Sequence, residues 1–198
     1  MPAPFPRQEH LPHVCLPPPT ASQVVRVHPD DPLAAPLFAD LAAEYDARYG
    51  DLFGGAAEEL TRYPAAAFLP PSGDFVLLLD DGRAVAGGAF MRHGSGAAEV
   101  KRMWTAASHR RRGLARRVLA ELEHRAAAAG YDRMYLTTGP RQPEAHDLYL
   151  ATGWAPLFDP AVPRPTDIEQ LRALPVDQRL YAFTKQLTRE PSLPGDPG

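Results

Sequence analysis

Cysteine is nearly absent from this chain: its 198 residues hold one, Cys15. A single thiol excludes an internal disulfide and any zinc site built on several cysteines. It stands among prolines near the N-terminus, where an exposed incidental thiol is the plainer reading and a nucleophile the less plain. Long hydrophobic runs are missing too. No stretch approaches the roughly 20 apolar residues that span a bilayer. The N-terminus is interrupted by proline and lacks the charged-then-apolar order of a secretion signal. A cytoplasmic protein with no membrane partner is the expectation. Excess positive charge is also lacking, since the formal net charge is −3, which argues against bulk nucleic-acid binding. The seven histidines never fall at ligand spacing, so no metal is expected. Hydrophobic residues make up 44% and charged residues 23%, ordinary values that suit one domain with a full core.

Proline is plentiful at both ends. Residues 1–21 contain the run Pro17-Pro18-Pro19, and residues 188–198 hold three more prolines. Both read as extended tails around one domain at 22–187, because proline removes a donor and fixes φ. Within the domain, Gln23 to His28 reads as a first strand. Asp31-Pro32 then opens a helix that carries Leu33, Leu37, Leu41 and Tyr45 at helical spacing and stops near Gly50. A short helix is expected over about 56–63. Strands at 74–79 and 84–92 flank Asp80-Asp81-Gly82 as a hairpin. A strand at 99–105, a helix from Arg110 to Gly130 and a strand at 133–138 follow. A helix at 143–152, a strand at 154–158, a short helix at 167–173 and a last strand at 180–185 complete the order. No internal repeat is present.

The stretch Glu99 to Arg117, EVKRMWTAASHRRRGLARR, carries the chemistry. It reads as strand, short connector and helix start. Leu114, Val118 and Leu122 recur every fourth residue and give the helix an apolar face. Gly113 lets a ligand approach the backbone, and the first N–H groups of a helix are a site for phosphate. Arg110, Arg111 and Arg112 add matching charge, although a nucleic-acid patch or a solvated face would also use them.

The pattern Arg110-x-x-Gly113-x-Ala115 after a strand resembles the acetyl-CoA signature of the GNAT superfamily of N-acetyltransferases. A second segment is similar to that superfamily's other signature, with Ala145, Leu148, Tyr149, Gly153 and Trp154 at matching positions. Ala107, Gln142 and Thr137 depart from residues common in the family, and Thr137 stands where some relatives carry a glutamate base. The resemblance implies an α/β fold whose mixed sheet splays between its fourth and fifth strands, here 99–105 and 133–138. It implies acetyl-CoA as cosubstrate and direct attack by a primary amine, with no acetyl-enzyme. The backbone of Met103, Trp104 and Thr105 would hold the pantetheine arm and steady the oxyanion. Arg110 through Arg116, with Gly113, Leu114 and Ala115 among them, would hold the phosphates, and Gln142 joins them.

By the same resemblance Tyr149 is the acid that protonates the leaving thiolate, against core packing as the plain alternative. Glu99 is a base, against a solvated strand end. Glu44, Tyr45 and Tyr49 form an acidic and aromatic rim suited to a cationic acceptor, a small molecule or a peptide. The rival reading is a non-catalytic acyl-CoA-binding regulatory module. A homodimer is compatible with either.

Overall fold

The computed structural model describes residues 22–188, and the two proline-rich tails, with Cys15, lie outside them. Seven strands form one sheet: β1 (Gln23–Arg26), β2 (Asp74–Asp80), β3 (Arg83–His93), β4 (Ala97–Thr105), β5 (Arg133–Thr138), β6 (Ala155–Pro156) and β7 (Tyr181–Gln186). Their spatial order is β1-β2-β3-β4-β5-β7-β6. All pairs are antiparallel except β4 with β5. The helices are α1 (Ala35–Tyr49), α2 (Ala56–Thr61), α3 (Leu114–Ala128), α4 (Pro143–Ala151) and α5 (Ile168–Ala173). This is the mixed α/β arrangement that the resemblance implied.

Each sheet face is closed by a helix whose apolar stripe the sequence displays. On α3 the buried residues are Val118, Leu119, Leu122 and Ala126. They meet Val76, Leu78, Phe90, Val100 and Leu136 in the larger core. On α1, Leu37 and Leu41 meet Phe68, Phe75, Leu77 and Trp104 on the opposite face. The Trp104 indole N–H also donates to Asp40 of α1 at 2.9 Å, fixing that helix to β4. At the far side of the sheet Glu123 of α3 accepts from Trp154 Nε1 at 2.9 Å and from Lys185 Nζ of β7 at 2.7 Å.

Several boundaries differ from the sequence reading. The signature helix begins at Leu114, not Arg110, because Arg111 (φ 61°) and Gly113 (φ 78°) are left-handed and cannot continue a helix. The arginines therefore lie in the turn that leads into it. Strand β6 is two residues long.

Two features open the sheet. First, β4 and β5 pair only over Ala97↔Arg133, Ala98↔Met134 and Glu99↔Tyr135. Beyond these, each strand keeps only its outer neighbour. Second, the β3–β4 register shifts between Gly87 and Ala89, which pair with Trp104 and Lys101. Gly88 alone on β3 thus faces two residues, Arg102 and Met103, on β4. The extra residue is a β-bulge at Arg102, whose φ is 58°. Gly88 lies opposite, where an added methyl would come within 2.7 Å of Met103 Sδ.

Asp74 ties three elements together. It is 2% exposed, and it accepts Arg26 Nε and Nη2 of β1 at 2.7 Å each and Arg125 Nη1 of α3 at 3.2 Å. Bidentate charged hydrogen bonds are the stronger kind. Asp74→Ala should therefore cost about 2 kcal/mol and release the edge strand first. Denaturant titration, with amide exchange read over residues 23–26, checks this. An unchanged midpoint would mean the cluster contributes nothing to the fold.

Candidate active site

Where β4 and β5 part, a cavity of about 1470 Å³ opens between them. Its walls come from α1, α2, β4, β5, α4 and the turn before α3. Of the candidate catalytic, cofactor-binding and acceptor residues, Arg112 alone stays off the cavity wall. Arg111 turns left-handed before it, and Arg112 is exposed. Arg111 and Arg116, by contrast, line the wall.

The turn before α3 forms one end. The first helical bond runs from Arg117 N to Gly113 O at 3.1 Å. The N–H groups of Arg111 through Arg116 have no acceptor among the described residues. They open together at the positive end of the α3 dipole. A side chain at Gly113 would point into empty space, so the backbone is open to a ligand there. Arg111 and Arg116 line the wall in no ion pair among the described residues. Thr105 Oγ1 is buried nearby without a partner. These donors and cations suit a pyrophosphate. Arg110 is differently engaged, because its guanidinium donates to Thr105 O at 3.3 Å and to Glu44 Oε2 at 2.9 Å.

Tyr149 of α4 sits in the middle of the wall, 5% exposed. Its ring packs on Trp154 and Phe183, with centroids 6.0 and 5.6 Å away. Its hydroxyl makes no hydrogen bond among the described residues. Burial pushes the phenol's pKa well above its ordinary value, with the Tyr45 hydroxyl a smaller influence in the same direction. The group therefore holds its proton firmly. The packing and acid readings are compatible here, for the ring is in the core and the residue borders the cavity. One helical turn away, His146 packs against Phe158, Tyr181 and Phe183.

Glu99 stands at the point of parting. Its side chain is buried and lies 2.8 Å from Lys101 Nζ and 3.4 Å from His93 Nδ1. His93 in turn stacks on Tyr135 at 4.5 Å. The solvated strand end weighed as the plain reading is thus replaced by a buried ionic cluster.

The rim differs from the expectation. Glu44 does not face an acceptor freely, because it pairs with Arg48 Nε at 3.3 Å and Arg110 Nη2 at 2.9 Å and accepts Gln142 Nε2 at 3.4 Å. Arg48 also pairs with Glu144 of α4 and donates to Arg141 O. Tyr45 and Tyr49 do line the cavity, and burial is the main reason that the pKa of each is pushed up to about 12. The Tyr49 hydroxyl lies 3.5 Å from Gln142 Oε1 and fills the space a side chain at Gly139 would need. Arg102, which the motifs did not single out, also lines this wall. The pair Gly87-Gly88 was its available signal, since glycine inside a strand marks bulges.

Residues 37–154, more than half of the chain, match the sequence profile of the Acetyltransferase (GNAT) family. The chain belongs to that family. Comparison with curated proteins gives no match. Solved structures share the fold. One is a Klebsiella pneumoniae protein provisionally described as an acyl-CoA N-acyltransferase, at 22% identity and TM-score 0.63 over 85% of this chain and 99% of its own. Another is a GNAT-family acetyltransferase of Staphylococcus aureus Mu50, at 12% identity and TM-score 0.63 over 85% and 100%. A third is N-acetylglutamate synthase of Neisseria gonorrhoeae with coenzyme A and N-acetyl-glutamate bound, at 16% identity and TM-score 0.57 over 85% of this chain and 35% of its own. Among the described residues of this acetyltransferase-family chain, no group of three or more His, Cys, Asp or Glu is placed to hold a metal. No helix there is long and apolar enough to cross a membrane.

The turn generates a graded prediction. Gly113→Ala should cost about 1–2 kcal/mol of stability, the penalty for a left-handed residue with a Cβ, while leaving coenzyme A binding measurable. Gly113→Asp should carry the same penalty and also nearly abolish that binding, because it sets a negative charge among the free N–H groups. Calorimetry on the two folded variants distinguishes them, and equal affinity for coenzyme A in both would remove the phosphate assignment.

Proposed function

We propose that this protein moves an acetyl group from acetyl-CoA to the primary amine of a small-molecule or peptide acceptor, with both substrates held in the cavity at once. The observation that carries the reading is the run of unbonded N–H groups at the left-handed Gly113, opening onto a cleft that also borders Tyr149. A neighbour of the same fold has coenzyme A bound, which supports the choice of donor.

The chain's own groups divide the work. The amides of Arg111 to Arg116, with the Arg111 and Arg116 guanidiniums, hold the pyrophosphate. Beyond Glu99 the cleft-side edge of β4 has no strand partner, so the backbone of Met103 to Thr105 pairs with the pantetheine arm as an added strand would. Gln142 closes this side from the start of α4. A backbone N–H at the bulge near Met103 and Trp104 steadies the oxyanion as it forms.

The amine nitrogen attacks the thioester carbonyl, and its surplus proton passes to the Glu99 carboxylate, directly or through water. The carbon–sulfur bond then breaks, and Tyr149 gives its proton to the departing sulfur. The products are the N-acetylated amine and the coenzyme A thiol, so no acetyl-enzyme is required.

Thiol release from acetyl-CoA across a panel of amines tests the reading. Amine-dependent release is expected. Coenzyme A binding without turnover for any amine would turn the assignment to a non-catalytic acyl-CoA-binding module. Tyr149→Phe keeps the ring and deletes the donor. It should lower kcat by about 10- to 1000-fold and leave stability and coenzyme A affinity close to wild type. Because the phenol's pKa is raised, the protonated form that donates persists through about pH 10, the ordinary tyrosine value. The wild-type rate should therefore show no alkaline fall centred there. Such a fall, or an unchanged kcat with chemistry rate-limiting in Tyr149→Phe, would sink the acid role.

A further inference from the structure

The cavity's charges are unevenly satisfied. Four carboxylates line it, Glu44, Glu59, Glu99 and Glu144, and each is already ion-paired. Glu44 and Glu144 hold Arg48, Glu59 holds Arg62 at 3.0 Å, and Glu99 holds Lys101 at 2.8 Å. Each already has a cationic side chain beside it.

Arg102 is the opposite case. It is 8% exposed, yet no guanidinium nitrogen makes a hydrogen bond or an ion pair within 4 Å among the described residues. Its Nε is buried outright without a partner. The guanidinium rests on the rings of Phe68 and Phe38, 4.7 and 5.2 Å from their centroids. Such contacts hold a cation in place but accept none of its N–H bonds.

The bulge accounts for this placement. One extra residue in β4 brings Lys101 and Arg102 to the same side, where both border a small recess with Tyr45, Glu59 and Tyr63. Lys101 finds Glu99 there, and Arg102 finds no carboxylate within bonding distance. A buried, unpaired charge is costly unless something pairs with it, and here it lies on a wall that substrate must reach.

We propose that the acceptor amine carries a carboxylate, and that Arg102 binds it. The inference rests on the acetyltransferase reading and narrows its acceptor to amino-acid-like molecules. A planar guanidinium pre-set between aromatic faces suits the planar, two-oxygen carboxylate better than a single-point anion. The carboxylate completes the missing hydrogen bonds, while the amine end of the same molecule reaches toward Glu99, three residues earlier on the same strand. A polyamine has cations at both ends and would leave Arg102 unpaired and repelled.

The test uses the full chain and a panel of amino acids, each paired with its own C-terminal amide. Wild type should acetylate at least one free acid with a KM about 10- to 100-fold below that of its amide, the range for a lost charged hydrogen bond. Arg102→Met keeps the length of the stem and drops the charge. It should raise KM for the acid to that of the amide and leave the KM for acetyl-CoA unchanged. Arg102→Lys, which keeps the charge, serves where the methionine variant does not fold, and it should recover part of the preference. Calorimetry of N-acetyl amino acids against their amides, with coenzyme A present, reads the same preference without turnover.

Turnover with no acid-over-amide preference overturns the carboxylate assignment and leaves the acetyltransferase reading intact. Carboxylate-dependent binding that Arg102→Met removes, in a protein that turns over no amine, upholds the assignment and fails the acetyltransferase reading. Absence of both the preference and the binding overturns the assignment. So does a preference that Arg102→Met leaves untouched, because a solvent molecule in the recess would then be the partner of Arg102.

Discussion

The hydrogen bonds that β4 and β5 do not make with each other govern the rest of this molecule. The two strands pair for three residues and then separate, each continuing with its outer neighbour alone. Backbone donors and acceptors inside a protein must be paired or wetted. An internal sheet can therefore part only where a cavity replaces the missing strand. The bulge at Arg102 deepens the parting, since a bulge bends its strand and increases its twist. Crowding at Gly88 on the adjacent strand leaves room for that irregularity and for little else. The start of α3 then delivers its unbonded N–H groups into the same space.

Much of this was legible in the sequence. Helical spacing identified the buried faces of α1 and α3, and turn residues marked the β2–β3 hairpin. The two short signatures singled out Gly113 and Tyr149, and both line the cavity. What was not legible depended on partners distant in the chain. Glu44 looked like a free rim carboxylate because Arg48 is its only sequence neighbour of opposite charge on that face, whereas Arg110 arrives from 66 residues away. The three arginines looked like a helix start because spacing carries no information about φ. Arg102 looked like one more strand residue, since alternation fails where a bulge adds a position, and only Gly87-Gly88 hinted at it.

Electrostatics inside the cleft thus differ from what composition suggests. A chain of net charge −3 has a cavity whose carboxylates are all ion-paired and whose unpaired groups, among the described residues, include cations, N–H donors and the hydroxyls of Thr105 and Tyr149. Pairing has engaged each acid with a base, Glu99 with Lys101 among them, while Arg102 has no such partner. A count of charges lining a site says little until each has been matched with its neighbour.

The short pairing at the base of the cleft also makes the molecule a spring clip. One jaw is β1 to β4 with α1, and the other is β5 to β7 with α4. Their backbone seam is three residues long. At the mouth the jaws are joined by Arg48 to Glu144 and to Arg141 O, by Glu44 to Gln142 and by the Tyr49 ring seated on Gly139, with Arg172 of α5 paired to Asp51 and Leu171 packed on Tyr49 beside them. Helix α3 spans the seam from behind, its Glu123 bonded to Trp154 and Lys185, so the clip is held at its back by a helix and at its mouth by α1 side chains.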